Sequence, residues 1–418
     1  MYQERLKIDW LAVVLWAFIM LFGWVNIYAA CYNESQAAIF DLSRQHGKQL
    51  LWIAIASLLA LIIMFTEPRF FSNTAIIIYG IVLVLLVVTL FVATVTKGAI
   101  SWINFGPFKF QPSEFAKFAT ALALAKYMST NGMDFSKTQS KLVALVLIAI
   151  PMGLIFLQHD TGSALVFVAF VFPLYREGLS GSILVIGLAA IVLFVLALLV
   201  NKYILLGALA LLAVGYLFLW LNKRTGRDWW RVIAVLACCV VFVFSVDFVF
   251  NHVLESHQRE RIDVLLGKTT DLQGSGYNVN QSKIAIGSGG LAGKGFLKGT
   301  LTKANFVPEQ ETDFIFCTVG EEWGFLGCTL LIVAYVWLLQ HLIVMAERQR
   351  STFARFYGYS VASILFMHLF VNVGMVLGLV PVIGIPLPYF SYGGSSLLAF
   401  TILLFIFIRQ DAVKNQLL

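Results

Sequence analysis

Charge is what this sequence has least of. Only 12% of its 418 residues are Asp, Glu, Lys or Arg, against 60% hydrophobic, and the mean hydropathy is +0.87. A soluble domain of this size needs a charged and polar surface, so that class is excluded and a polytopic membrane protein remains. Cysteine is also scarce, with five residues lacking the spacing of a metal site or disulfide framework. Cys238, Cys239, Cys317 and Cys328 fall in or near apolar runs and Cys31 stands alone, which suits small packed side chains. The net charge is +7, yet no basic stretch is interleaved with stacking aromatics, so nucleic acid is not an expected partner. The glycine-rich run 286–296 is no Walker loop, because it lacks the Gly-Lys-Ser/Thr ending and a preceding strand. Its glycines suit tight turns or close approach to a neighbouring backbone.

What is abundant is apolar sequence in runs able to cross roughly 30 Å of hydrocarbon. Twelve spans are predicted: Trp10–Ala30, Leu50–Phe65, Thr74–Val95, Phe115–Met128, Leu142–Leu157, Ala164–Tyr175, Ile183–Val200, Tyr203–Leu221, Val232–Phe250, Phe325–Val344, Tyr357–Val380 and Leu397–Ile408. All should be helices, since backbone polar groups cannot go unpaired in lipid. The first is long and aromatic-rich, and is expected to remain as an anchor rather than be cleaved as a signal peptide. Short-loop basic residues set the orientation. Arg5, Lys7, Arg69, Lys137, Lys141, Arg176, Lys223, Arg224, Arg227, Arg231, Arg348, Arg350, Arg355, Arg409 and Lys414 fall on one side. Arg44, Lys48, Lys97, Lys109 and Lys202 fall on the other, about a three-to-one bias that puts both termini in the cytoplasm and segment 252–313 outside.

Three stretches on the outer side carry ionisable residues. In the first, Gly106-Pro-Phe-Lys-Phe-Gln-Pro-Ser-Glu-Phe-Ala-Lys117, Ser113 is the expected N-cap of a helix with Glu114 in its first turn. Glu114 and Lys117 are three apart and share a helix face. They are either a local ion pair that lets a short helix begin in the interface, or an ionisable pair facing a water-filled cavity and touching substrate or metal. In the second, Gln158-His-Asp-Thr-Gly-Ser163, Asp160 suits turn capping and substrate contact equally. The third, 252–313, is rich in glycine and balanced in charge, a composition that reads as ordered. In it Arg259 and Arg261 lie beside Glu260 and Asp263, as partners in internal salt bridges or as diphosphate ligands. The segment ends on Asp313, a lone carboxylate where water meets lipid.

Four blocks, 106–117, Gln281-Ser-Lys-Ile-Ala-Ile-Gly-Ser-Gly-Gly-Leu-Ala-Gly-Lys-Gly295, Val307-Pro-Glu-Gln-Glu-Thr-Asp-Phe-Ile-Phe316 and Pro386-Leu-Pro-Tyr-Phe-Ser-Tyr-Gly-Gly-Ser-Ser396, occur in this order. With them the chain resembles the SEDS family of bacterial cell-wall polymerases, the RodA/FtsW/SpoVE group, over nearly its whole length, with the greatest similarity to the RodA branch. The resemblance implies an all-α polytopic membrane fold, and a glycosyltransferase that joins lipid II units into glycan strands at the outer face of the cytoplasmic membrane for cell elongation and shape. It makes Asp313 the essential carboxylate. Glu114 and Lys117 carry over by direct motif match, and Gln111, Asp160, Lys283, Glu309 and Ser395 accompany them as substrate-binding candidates. Arg259 and Arg261 carry over through the similarity of Gln258-Arg-Glu-Arg261 to a Gln-Arg-x-Arg stretch. A class B penicillin-binding protein is the implied partner, since the sequence has no Ser-x-x-Lys acyl-enzyme motif for cross-linking.

The chemistry accounts for these residue types. An acceptor hydroxyl must lose its proton as it attacks the anomeric carbon, while polyprenyl diphosphate leaves with inversion. A carboxylate at the membrane interface, its pKa raised by partial burial, can act as the base. Basic groups, Lys117 with Arg259 or Arg261, or a divalent cation, Mg²⁺ or Mn²⁺, would balance charge on the departing diphosphate, with Glu114 and Asp313 as candidate metal ligands. Against the usual ten spans of the family, two extra ones are assigned to 181–222. The usual Gln-Pro-Asp reads Gln158-His-Asp160, and a common Arg-Trp reads Ser101-Trp102. Two rivals are a lipid II flippase, with Asp247, His341, His368 and Asn372 either lining a path or serving bundle packing and interhelical hydrogen bonds, and a non-catalytic scaffold for the penicillin-binding protein. The concentration of motifs on one side favours the polymerase.

Overall fold

The computed structural model describes residues 7–32, 40–96, 98–106, 108–130, 132–220, 226–253, 256–268, 275–304 and 306–414. Arg5, Lys97, Lys223 and Arg224, used above for sidedness, and Pro107 of the first motif lie outside them. The chain forms two units, one made of Met1–Leu179 and Asn278–Leu418, the other of Ser180–Tyr277.

In the first unit α1 (Trp10–Ala30), α2 (Gln45–Phe65) and α3 (Pro68–Val92) lead to a small antiparallel sheet, β1 (Thr94–Thr96), β2 (Ala99–Phe105) and β3 (Phe108–Phe110). Then come α4 (Pro112–Met128), α5 (Thr138–Leu157), α6 (Thr161–Val166), a 3₁₀ turn (Phe167–Phe170) and α7 (Val171–Arg176). The unit closes with α13 (Ile315–Glu347), α14 (Thr352–Val376) and α15 (Gly394–Ala412). In the second unit are α8 (Gly181–Leu199), α9 (Lys202–Gly215), α10 (Gly226–Phe248) and α11 (Ser256–Leu265). The helix α12 (Ser275–Gly289) begins there and continues into the first unit.

Each of the twelve predicted spans falls on a helix. Among the described residues nine helices are long and apolar enough to cross a membrane by length and composition. The other three predicted spans fall on α4, on the broken 161–176 segment and on α9 with the π-helical turn Tyr216–Trp220. Gly324, at φ +63°, breaks α13 into two pieces, so the apolar run predicted to start at Phe325 begins just after the kink. Lys202 Nζ is 2.9 Å from Asp247 Oδ2 in the second unit, which gives that predicted polar residue a partner inside the bundle.

The core of the first unit is formed by α4, α14 and α15. The apolar windows of α14 and α15 are 72% and 83% buried, against 22% for α2. Ala116, Ala119, Ala121, Ala123 and Ala125 make α4 slim, and all are buried; small residues let helix backbones approach where lipid offers no hydrophobic drive between helices. At one end, charges join three helices. Arg348 lies 2.8 Å from Asp9 and 2.6 Å from Asp411, and His341 lies 2.8 Å from Asp9. Burial alone would raise the pKa of Asp9, but hydrogen bonds from His341, Arg348 and the Ala12 amide outweigh it and hold the carboxyl below its usual value. Cys317 and Cys328 are packed as expected, whereas Cys238 is exposed. An apolar helix side facing lipid does not require burial, which is why packing failed as a guide there.

Candidate active site

The turn bearing Asp313 is built from the chain outward. Glu309 adopts φ +57°, and its carbonyl accepts from the amides of Thr312 and Phe314, both at 3.1 Å. The buried Gln310 donates to Ala30 O at 2.9 Å and Thr302 O at 2.8 Å, fastening the turn to the end of α1 and to the preceding loop. The next three carbonyls are then held in sequence. Glu311 O accepts from the Tyr392 amide at 2.9 Å, Thr312 O from Ser391 Oγ at 2.6 Å, and Asp313 O from Asn372 Nδ2 at 2.9 Å. The fourth sequence block is therefore a clasp on the third. The Asp313 side chain remains half-exposed, one residue ahead of the N-cap of α13, where the helix dipole favours negative charge.

Opposite the carboxylate runs 381–388, Pro-Val-Ile-Gly-Ile-Pro-Leu-Pro, an irregular segment with three prolines. Such a segment has no ladder of its own, so its carbonyls need outside donors. Asn372 donates to Ile385 O at 2.7 Å, His368 Nδ1 to Pro386 O at 3.0 Å, and the Tyr335 hydroxyl to Pro388 O. Gly384, at φ +69°, presents bare backbone to the site, and a Cβ there would stand 3.3 Å from Asp313 Oδ2. Glycine supplies both the dihedral and the space.

Behind this segment lies the predicted pair. Lys117 Nζ is 2.7 Å from Glu114 Oε1 and 3.0 Å from His368 Nε2, with the Phe400 ring centroid at 5.4 Å. Lys117 is 2% and Glu114 3% exposed. Of the two readings weighed from sequence, this geometry is that of the ion pair: both groups face each other and the protein interior.

Gln111, Asp160 and Ser395 form a second knot. Asp160 caps α6 through the Ser163 amide at 3.0 Å, and its Oδ2 accepts from Gln111 Nε2 at 3.0 Å and Ser113 Oγ at 3.1 Å. Ser395 Oγ accepts from the Gln111 amide at 3.2 Å and donates to Lys109 O at 3.1 Å. The expected N-cap at Ser113 is corrected: α4 starts at Pro112 with Gln111 as N-cap. Proline at the first helical position has its φ preset and no N–H to lose, so it moves the start upstream. Ser113 is left free to bond sideways to Asp160.

Glu309 Oε2 accepts from Thr312 Oγ1 at 3.1 Å, inside the Asp313 turn. Lys283, on α12, is exposed and passes over Gly378, whose built Cβ would lie 2.5 Å from its Nζ. Arg259 and Arg261 lie on α11 of the second unit. Among the described residues no three His, Cys, Asp or Glu side chains converge as metal ligands, and Glu114 already meets a cation in Lys117. Glu114, paired with Lys117, is therefore not placed as a ligand of a resident divalent ion.

Sequence reasoning missed Glu321. Fully buried at the start of α13, its carboxylate accepts from the amides of Thr300, Leu301 and Thr302, each at 2.9 Å, and from Lys294 Nζ at 2.7 Å. It folds the loop before the Asp313 turn, and two adjacent acids ahead of an apolar run were the available signal. The glycine run behaves as expected. Gly293, at φ +79°, comes so close to Glu322 that a Cβ would lie 2.1 Å from its carbonyl oxygen.

Comparison with known proteins matches the FtsW/RodA/SpoVE family model, described as cell cycle protein, to residues 9–206 and 182–416. The peptidoglycan glycosyltransferase MrdB of Escherichia coli K12 is 34% identical over 375 residues, 89% of this chain and 86% of its own. The peptidoglycan glycosyltransferase RodA of Treponema pallidum is 31% identical over 418 residues, covering 93% and 94%. Among solved structures, the rod shape determining protein RodA of Thermus thermophilus matches with TM-score 0.63 and 25% identity over 98% of this chain and 99% of that one. A chain from a structure on the coordination of polymerization and crosslinking by a peptidoglycan synthase complex matches with TM-score 0.68 and 27% identity, covering 97% and 99%.

Proposed function

This chain belongs to the FtsW/RodA/SpoVE family of cell cycle proteins, and from that membership and the geometry around Asp313 we propose that it is a peptidoglycan glycosyltransferase that polymerises lipid II. It is an integral protein of the inner membrane, given its apolar helices and its MrdB and RodA relatives. The proposal places the termini in the cytoplasm and Asp313 on the outer side, following the bias of basic residues in the short loops.

The observation that carries the reading is a half-exposed carboxylate whose main chain is held at three successive carbonyls and which faces the bare backbone of Gly384. A general base needs this combination of access and fixed position, because proton abstraction is efficient only within hydrogen-bond reach of the attacking hydroxyl. Asp313 takes the proton of the acceptor hydroxyl as its oxygen bonds to the anomeric carbon of the donor. The bond to the diphosphate oxygen breaks on the opposite face, and undecaprenyl diphosphate leaves with the electron pair. Basic side chains stabilise that charge, with Lys283 as the candidate in the unit that holds Asp313. Glu114 and Lys117 support the site from behind. Any Mg²⁺ or Mn²⁺ in the reaction is assigned to the substrate diphosphate and not to a protein-built site.

Cross-linking is assigned to a partner transpeptidase, a class B penicillin-binding protein; the match to a chain of a peptidoglycan synthase complex supports this division of labour. The test is glycan polymerisation from lipid II by purified protein, wild type against Asp313→Asn, a nearly isosteric change that removes the base. Strands from wild type and none from a folded variant are expected. Equal synthesis by both refutes the role of Asp313. Lipid II movement across liposomes without synthesis by either protein would favour the transporter.

A further inference from the structure

We infer that Asn372 and His368 are positioning residues for the transfer, forming a two-residue clamp on α14 that sets Asp313 against the 383–386 backbone, with the Lys117–Glu114 pair acting on the chemistry only through that clamp. The inference rests on the reading of Asp313 as the base.

The two residues are four apart and so lie one above the other on the same helix face. Both are fully buried. Asn372 uses its amide nitrogen twice, toward Asp313 O at 2.9 Å and Ile385 O at 2.7 Å. Both partners are carbonyl oxygens, so the nitrogen assignment is forced. One carboxamide thus joins the peptide of the base to the segment opposite it, one residue from Gly384, where an added Cβ would stand 3.3 Å from Asp313 Oδ2. The Asn372 Oδ1 atom is buried and has no protein partner. A residue kept only for packing would not leave an acceptor unmet, because an apolar side chain of that shape avoids the cost.

His368 grips the next carbonyl. Pro386 O can only accept, so Nδ1 carries the hydrogen, and Nε2 then presents a lone pair. Lys117 ammonium can only donate, and it meets that lone pair at 3.0 Å. The ion therefore selects the tautomer that holds Pro386. Glu114 in turn holds the ion at 2.7 Å. The line runs from Glu114 through Lys117 and His368 to Pro386, then along the chain to Ile385 and through Asn372 to Asp313. Neither buried ion reaches substrate along it.

The test compares lipid II polymerisation by purified full-length variants, reading kcat and KM separately with melting temperature as a control. Asn372→Ala and the isosteric Asn372→Asp are expected to lower kcat by about 10- to 100-fold with KM within about twofold, the scale of loss when a reacting group is misplaced by around an ångström. Tyr357→Phe is the control for stability alone. Tyr357 lies on the same helix as Asn372, about 22 Å along the axis by helical rise, and the change removes its buried hydrogen bond to Leu403 O of α15. It should lower the melting temperature and leave kcat unchanged. For His368, Asn places a donor near the Nδ1 position and Gln places one near Nε2, so His368→Asn should retain more kcat than His368→Gln. Wild-type kcat in both Asn372 variants, or His368→Gln equal to or better than His368→Asn, overturns the clamp. Those results with an inactive Asp313→Asn sink the clamp alone, whereas an active Asp313→Asn removes the reading on which it rests.

Discussion

Removing the Lys117 ammonium while keeping its length, as Lys117→Met, leaves the Glu114 carboxylate charged, 3% exposed and without its one close cation. Its second oxygen, Oε2, already lacks a protein partner, so no neighbour stands ready to compensate. At 2.7 Å the attraction that is lost is about 6 kcal/mol at an effective dielectric of about 20. Relaxation and protonation of the stranded acid recover part of this, and buried pairs broken on one side cost about 3–5 kcal/mol. Neutralising both partners, as Glu114→Gln with Lys117→Met, removes the stranded charge. The double variant should therefore be more stable than Lys117→Met by at least about 2 kcal/mol. The assay is the rate of thermal inactivation in detergent at several temperatures, because a protein of this size unfolds irreversibly and its operational stability is a rate. A Lys117→Met protein as durable as wild type, or a double variant no better than the single, would refute the claim that these charges are buried against each other.

Other expectations follow from single contacts. Cys31 is half-buried, and its thiol is pushed up to about 12 by desolvation first and by the nearby Glu311 second; maleimide labelling of native protein at pH 7 should be slow and become fast on denaturation. Asp9, whose folded pKa is depressed, contributes stability that is present above its unfolded value of about 4 and lost as pH falls through the lower folded value. Inactivation rates of wild type and Asp9→Asn should thus differ at pH 7 and converge below about pH 4; a constant difference would contradict the linkage. Gly384→Ala places a methyl 3.3 Å from Asp313 Oδ2 on a backbone at φ +69°, and should cut polymerisation by about tenfold or more.

The membrane class, the twelve apolar runs and the four motif blocks were legible because hydrophobic length and local spacing are properties of contiguous sequence. Asp313 stood out for the same reason, as a lone acid at the edge of a span. The start of α4 was misjudged by two residues, since a serine before an acid and a proline before an apolar run both mark helix starts and only the fold chose between them. Turn capping by Asp160 was among the readings of the sequence and is seen at the Ser163 amide, but the knot of Gln111, Asp160 and Ser395 was not readable, because its other bonds cross 47 to 286 positions of sequence. From sequence His368 and Asn372 read as lining a path or as hydrogen-bonding groups within the bundle. Their partners are carbonyls of a proline-rich segment and of the Asp313 turn, and backbone carbonyls carry no sequence signature.

By itself, then, the sequence determined which runs are long and apolar enough to enter a membrane and which polar motifs fall between them, since both depend on the free energy of moving side chains from water to lipid. Only the tertiary structure decided that the Glu114–Lys117 pair turns inward and that α14 and the 386–396 loop clasp the Asp313 turn. Those choices depend on which distant backbone groups lacked donors once the helices had packed.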